Sequence, residues 1–290
     1  MGHDVSMERI DDHAHADHDD FGGLTRDLSR FVDRRRALWL VGGGLGAITL
    51  AACGSSAAKS TVTTMLGTTS TTAGASGSSS TASCTKIPTE TAGPYPADGT
   101  NGPDVLTQSG VVRRDITSSF GSMSGSVSGA PLTMRFKVLD IARGCTPYVG
   151  AAMYVWHASP DGKYSLYSAG ATNQNWLRGV QEADADGWVT FTTVFPGCYD
   201  GRWPHVHFEV YPTLAKATSA RTAVSTSQLA LPQDACAAAY ATSGYGVSAT
   251  NLQRTSLTRD MVFRDGFQSQ LGTVTGDVAS GMTVTLNVPV

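Results

Sequence analysis

Alternation with a period of two is the feature that most restricts this chain. Leu132, Met134, Phe136 and Val138 are separated by Thr133, Arg135 and Lys137, which places apolar side chains on one face of a strand and polar ones on the other. Ala152, Tyr154 and Trp156 repeat the pattern. Segments Trp188 to Phe195, His205 to Tyr211 and Met282 to Val288 read as strands too. Turn-forming clusters such as Asp161-Gly162, Asp186-Gly187 and Asp265-Gly266 punctuate them. Helical periodicity is weak apart from a short piece near Asp234–Tyr240. Many short strands with frequent turns predict an all-β chain: a β-sandwich of mostly antiparallel strands, with long loops and few short helices.

Those strands begin well into the chain. Residues 54–83 are almost wholly Ser, Thr, Ala and Gly. Such a stretch cannot bury enough apolar surface to offset its conformational entropy, and reads as a flexible linker. Residues 1–33 are polar, with His3, His13, His15 and His18 among several Asp, and read as a disordered tail. Arg34-Arg35-Arg36 then precedes an apolar run over 37–52. That run is short of the about 20 residues of a comfortable membrane span and has the layout of an export signal. Asp33-Arg34-Arg35-Arg36-Ala37-Leu38 resembles a twin-arginine signal, and Leu50-Ala51-Ala52-Cys53 resembles a lipobox in which Cys53 is lipidated. The expected organisation is therefore tail 1–33, signal 34–53, linker 54–83 and a folded domain over 84–290. The expected location is outside the cytoplasm, lipid-anchored at the cell surface, with simple cleavage and secretion as the alternative. The membrane enters only through that anchor or signal.

A net charge of −3 without a long basic run gives no footprint for nucleic acid. Setting Cys53 aside leaves Cys84, Cys145, Cys198 and Cys236, an even number that suits two disulfides in an oxidising compartment. Spacing alone does not choose among the three pairings. No C-x-x-C occurs, which argues against a redox motif or a zinc knuckle.

The chemistry gathers in Trp203-Pro204-His205-Val206-His207-Phe208. On a strand, His205 and His207 share one face while Val206 and Phe208 take the other, so the two imidazoles can share a metal. Upstream, Pro196-Gly197-Cys198-Tyr199 forms a turn that holds Tyr199 at the lip of the same site. Trp156-His157-Ala158-Ser159-Pro160-Asp161-Gly162-Lys163-Tyr164 ends a strand with a second tyrosine.

In these motifs, and in Thr91-Ala92-Gly93-Pro94-Tyr95, residues 84–290 resemble the intradiol ring-cleavage dioxygenases, in their extracellular, signal-bearing branch. The resemblance implies Tyr164, Tyr199, His205 and His207 as ligands of a non-haem Fe(III). Phenolate, a hard anionic ligand, agrees with a trivalent ion rather than zinc. It implies O2 and catechol-type small molecules as substrates and cis,cis-muconate-type diacids as products. Tyr199 is the displaceable ligand, and Arg202 the cation that stabilises developing charge. Arg178 and Gln181, in Asn175-Trp176-Leu177-Arg178-Gly179-Val180-Gln181, are candidate substrate-binding residues. It also implies pairing of Cys84 with Cys145 and of Cys198 with Cys236.

Other residues have plainer readings. His157 is a packed residue, Tyr167 a substitute ligand if its loop shifts, and Trp156, Trp176, Trp188 and Trp203 are core or pocket wall. One departure is the span of only five residues between Tyr199 and His205, which shortens the loop beside the metal. The N-terminal helical region through which catechol 1,2-dioxygenases dimerise has no counterpart, so the oligomeric state is left open. Two other readings compete: a non-catalytic lipoprotein that binds catechols or catecholate iron, and a zinc hydrolase built on the two histidines.

Overall fold

A computed structural model describes residues 84–290. The expected tail, signal, lipidated Cys53 and linker lie outside these residues. Nine strands form two sheets: β1 (Pro131–Asp140), β2 (Thr146–Pro147), β3 (Ala152–Trp156), β4 (Arg178–Glu182), β5 (Trp188–Val194), β6 (His205–Tyr211), β7 (Ser225–Ala230), β8 (Thr273–Asp277) and β9 (Gly281–Pro289). Two short helices follow β7: α1 (Gln233–Tyr240) and α2 (Gly246–Leu252). The first sheet runs β2-β1-β9-β8, with β5 also on β1; the second runs β4-β3-β6-β7. Only β1 and β9 pair in parallel among the strand pairs of the described residues. The sandwich is as the alternation predicts.

Strand β1 reproduces that alternation, with Leu132, Met134, Phe136 and Val138 buried and Thr133, Arg135 and Lys137 turned outward. Its buried face meets Met153, Val155, Val206, Phe208 and Val210 from the second sheet, with Phe136 and Phe208 rings 5.5 Å apart. Burial of this apolar area, at about 25 cal/mol per Å², is what joins the sheets.

The second sheet differs in kind. Every residue of β3 and of β6 is buried, so its far face is covered as well. The covering layer is made of loops 87–106, 157–177 and 196–204. The first is fastened by Glu90 N–H to Thr226 O at 2.9 Å and by Tyr154 Oη to Pro96 O at 2.8 Å. Cys84 and Cys145 are joined in a disulfide near the start of the described residues. Cys198 and Cys236 are not joined, contrary to the expected second bridge. Cys198 Sγ turns instead to the Arg202 carbonyl at 3.3 Å. Burial pushes the Cys198 thiol up to about 12 and Cys236 well above its ordinary value, so neither is the thiolate that exchange requires.

Candidate metal centre

Register brings the site together on the outer face of the second sheet. Cross-strand partners share a face, and Arg178, Trp156, His207 and Gln228 lie in one row across β4, β3, β6 and β7. His205 stands two residues along on the same face. Trp156 stacks flat on the His207 ring at 5.0 Å and 5°, fixing its plane.

The two tyrosines arrive from loops. Tyr164 closes a turn in which Ser159 N–H donates to Lys163 O at 2.8 Å and Tyr164 N–H to Ser168 Oγ at 3.0 Å. Tyr199 follows a turn pinned by α2: Cys198 N–H donates to Ser248 Oγ at 2.8 Å and Asn251 Nδ2 to Cys198 O at 2.9 Å. The two turns touch at Gly197, where a Cβ would stand 2.1 Å from the Ser159 carbonyl oxygen. Only glycine fits that approach. Gly93, at φ 70°, likewise brings the 91–97 loop against the edge of His207.

Four donor atoms converge. His205 Nε2 lies 3.0 Å from His207 Nε2, 3.4 Å from Tyr164 Oη and 3.5 Å from Tyr199 Oη. Donors that share one ion at about 2.0–2.2 Å stand roughly 3.0–3.5 Å from each other, so this spacing fits a metal. All four side chains are buried. Burial, and Arg202 as the next cause, push His205 well below its ordinary value. Burial and then His205 do the same to His207. Both rings are therefore neutral, with lone pairs to offer, and His205 Nδ1 is tied to the Trp203 carbonyl, which leaves Nε2 facing the other donors. Burial, and next the neighbouring Tyr199, hold the Tyr164 phenol well above its usual range, so its ionisation requires a compensating cation at this point. Among the described residues no three His, Cys, Asp or Glu gather in one place, so a zinc site on the two histidines lacks a conventional further ligand.

Arg202 is fully buried and lies beside the donors. Its Nη1 donates to Tyr199 Oη at 3.2 Å, Nη2 to Gln228 Oε1 at 2.7 Å and Nε to Asp260 Oδ2 at 2.9 Å. Gln228 and Asp260 escape a reading of the sequence. A glutamine within the polar run Ser-Thr-Ser-Gln, and an aspartate far downstream in a loop, carry no motif.

The two expected substrate contacts, Arg178 and Gln181, lie on opposite faces of β4. Arg178 is buried with its donors spent on Ser165 Oγ, Ser165 O, Pro96 O and Tyr154 Oη at 2.9–3.2 Å, so it binds the loops to the sheet. Gln181 pairs across with Met153 and so lies on the face of the sheet opposite the imidazoles. Tyr199 is interior rather than at a lip, 6% exposed. Tyr167 donates its hydroxyl to Asn101 O at 2.9 Å and accepts from Ala97 N–H, away from the donors. His157 is packed, bonded to Ala158 O and Thr193 Oγ1. Trp156 walls the site as expected. Trp188 does not: it is half-buried on the outer face of the first sheet, under Arg135 at 4.3 Å.

Residues 101–223 match the family model described as Dioxygenase, a segment that contains Tyr164, Tyr199, Arg202, His205 and His207. The fold is that of the β-sandwich dioxygenases. An intradiol ring-cleavage dioxygenase from Tetranychus urticae superposes with TM-score 0.57 and 21% identity, over 71% of this chain and 94% of that one. A second solved dioxygenase gives 0.56 and 22%, over 71% and 94%. No curated protein matches the chain by sequence. The family match and the structural neighbours thus agree on a dioxygenase-like β-sandwich fold.

Proposed function

We propose that this protein is a non-haem Fe(III) intradiol dioxygenase that cleaves catechol-type rings with O2 to cis,cis-muconate-type diacids. The observation that carries the reading is the convergence of Tyr164 Oη, Tyr199 Oη, His205 Nε2 and His207 Nε2, spaced as donors to one ion and beside a buried guanidinium. Bound Fe(III) would supply the Lewis acidity that makes an electron-rich diol ring reactive towards O2. The chain's own groups do the rest. His205 and His207 present neutral nitrogens in fixed orientations. Tyr199 Oη, within reach of Arg202 Nη1, is placed to hold a proton from an incoming diol. Arg202 offers a fixed cation to developing negative charge in a buried site. Tyr95, its ring tilted at 31° to that of Tyr164 with centroids 4.9 Å apart, closes that side.

Export through the 34–53 signal, lipidation at Cys53 and a 54–83 tether complete the proposal. They would place the enzyme outside the cytoplasm, where aromatic polymers shed diols. The supporting feature is the residue pattern at 33–53. Mass spectrometry of the mature N-terminus tests it: a diacylglyceryl Cys53 is expected, and an intact 1–52 segment on exported protein would refute it. The catalytic proposal is tested by iron content and by oxygen uptake with catechol. One equivalent of iron and one O2 consumed per diacid formed are expected; protein without bound iron, or with iron and no uptake, would refute it.

A further inference from the structure

We infer that Asp260 is a positioning residue of the centre, acting through Arg202 on Tyr199. Its carboxylate is fully buried, between two elements. Oδ1 accepts from Val262 N–H at 2.8 Å and Phe263 N–H at 3.2 Å, capping the turn over 260–265. Oδ2 accepts from Arg202 Nε at 2.9 Å and Trp203 N–H at 2.6 Å. Four donors hold one carboxylate, so its position is set by backbone on both sides.

Two consequences follow from that geometry. Nε is one edge of a planar fork. With that edge fixed by Asp260 and Nη2 fixed by Gln228 Oε1, the plane of the fork is set, and Nη1 is delivered to Tyr199 Oη. The bond to Trp203 N–H also fixes the 202–203 peptide, and the Trp203 carbonyl is the partner of His205 Nδ1. Phe263, which the capped turn delivers, lies edge-on to the His205 ring at 6.5 Å. One residue outside the donor set thereby reaches Tyr199 through Arg202 and lies against the segment that carries His205. A carboxylate is also the counter-charge that lets a guanidinium sit in so dry a place. Asp260 supplies such a charge, in an ion pair with Arg202 at 2.9 Å.

The inference rests on the ring-cleavage reading above, and the test separates the two. Wild type, Asp260→Asn, Arg202→Met and the double variant are prepared as full chains and loaded with Fe(III). Each is measured for its visible tyrosinate-to-iron band and for kcat and KM with catechol. The double variant removes both charges together and guards against misfolding of a single variant. Asp260→Asn is expected to shift the band and to lower kcat by about 10- to 100-fold, as loss of a partner one shell out from a metal commonly does. Its KM should change by less than about threefold, because the group acts on orientation rather than on substrate contact. On Arg202→Met, the same change should cost less than about twofold, since the group it acts through is gone. Equal losses in both backgrounds would overturn the inference, as would an unmoved band in Asp260→Asn. A wild type that is coloured but inactive would refute ring cleavage, while the band positions of the four proteins would still decide the role of Asp260.

Discussion

The two sheets share one core and use their outer faces in opposite ways. On the first sheet, β5, β1, β9 and β8 place Thr192, Thr133, Thr283 and Thr275 side by side, facing outward with Arg135 and Lys137 in the next positions of β1. This is an open, polar surface of the kind that antiparallel sheets present to water. On the second sheet the matching face carries Trp156, Arg178, His205, His207, Glu209 and Gln228, and loops bury all six. The same polar positions are thus solvated on one sheet and desolvated on the other. Desolvation is what lowers His205 and His207 and pushes Glu209 up to about 8. A sandwich becomes a reactive site where its loops fold back over one sheet and not over the other.

Substitutions on the two faces should therefore behave differently. His205→Ala removes a donor, and iron affinity and turnover should fall by more than about 100-fold, beyond the usual effect of a residue one shell further out. Iron content and oxygen uptake check this, and unfolding of the metal-free protein shows whether the fold survives. In the shared core, Phe136→Ala should cost about 3–5 kcal/mol, read by urea denaturation. A cost below about 1 kcal/mol would mean the sheets are not joined there.

Acid sharpens the comparison. His157, His205 and His207 all have lowered values, His157 to about 4, mainly through burial. The unfolded chain takes up protons as pH falls below about 6.5 and the folded, metal-free protein does not. Their stabilising effect is full above that pH and is lost towards the folded-state values, at up to about 1.4 kcal/mol per pH unit for each ring. Replacing His205 by Gln should flatten the slope by about one proton. The smallest effect is expected on the open face: Thr133→Ala and Arg135→Ala should change stability by less than about 0.5 kcal/mol and leave turnover unaltered.

How much of this was legible in the sequence follows the same division. Strands with one wet face announce themselves, and β1 and β9 lie within two residues of where alternation predicts them. The strand β6 was legible for another reason, the two histidines at a spacing of two. Strands β4, β7 and β8, reading Arg-Gly-Val-Gln-Glu, Ser-Thr-Ser-Gln-Leu-Ala and Thr-Val-Thr-Gly-Asp, show too little apolar alternation to be seen, since pairing and loop burial fix them. Tyr164 and Tyr199 came from resemblance at the ends of turns, and the structure brings both to the imidazoles. Gln228 and Asp260 reach the centre only through register and a return of the chain, which no local pattern encodes. Arg178 and Gln181 stand three apart on one strand, so they cannot share a face. Neither reaches the donors, one because the loops consume it and the other because of that alternation.

The central claim is that Tyr164, Tyr199, His205 and His207 hold one iron that turns over catechol. The most direct measurement is the visible spectrum of the iron-loaded protein, followed by catechol addition in air with oxygen and muconate absorbance recorded together. A broad tyrosinate band, with oxygen loss matched by muconate formation, is the expected result. A band that shifts on adding catechols without oxygen loss would contradict catalysis and favour a binding protein. A colourless protein that takes up no iron would contradict the donor set itself.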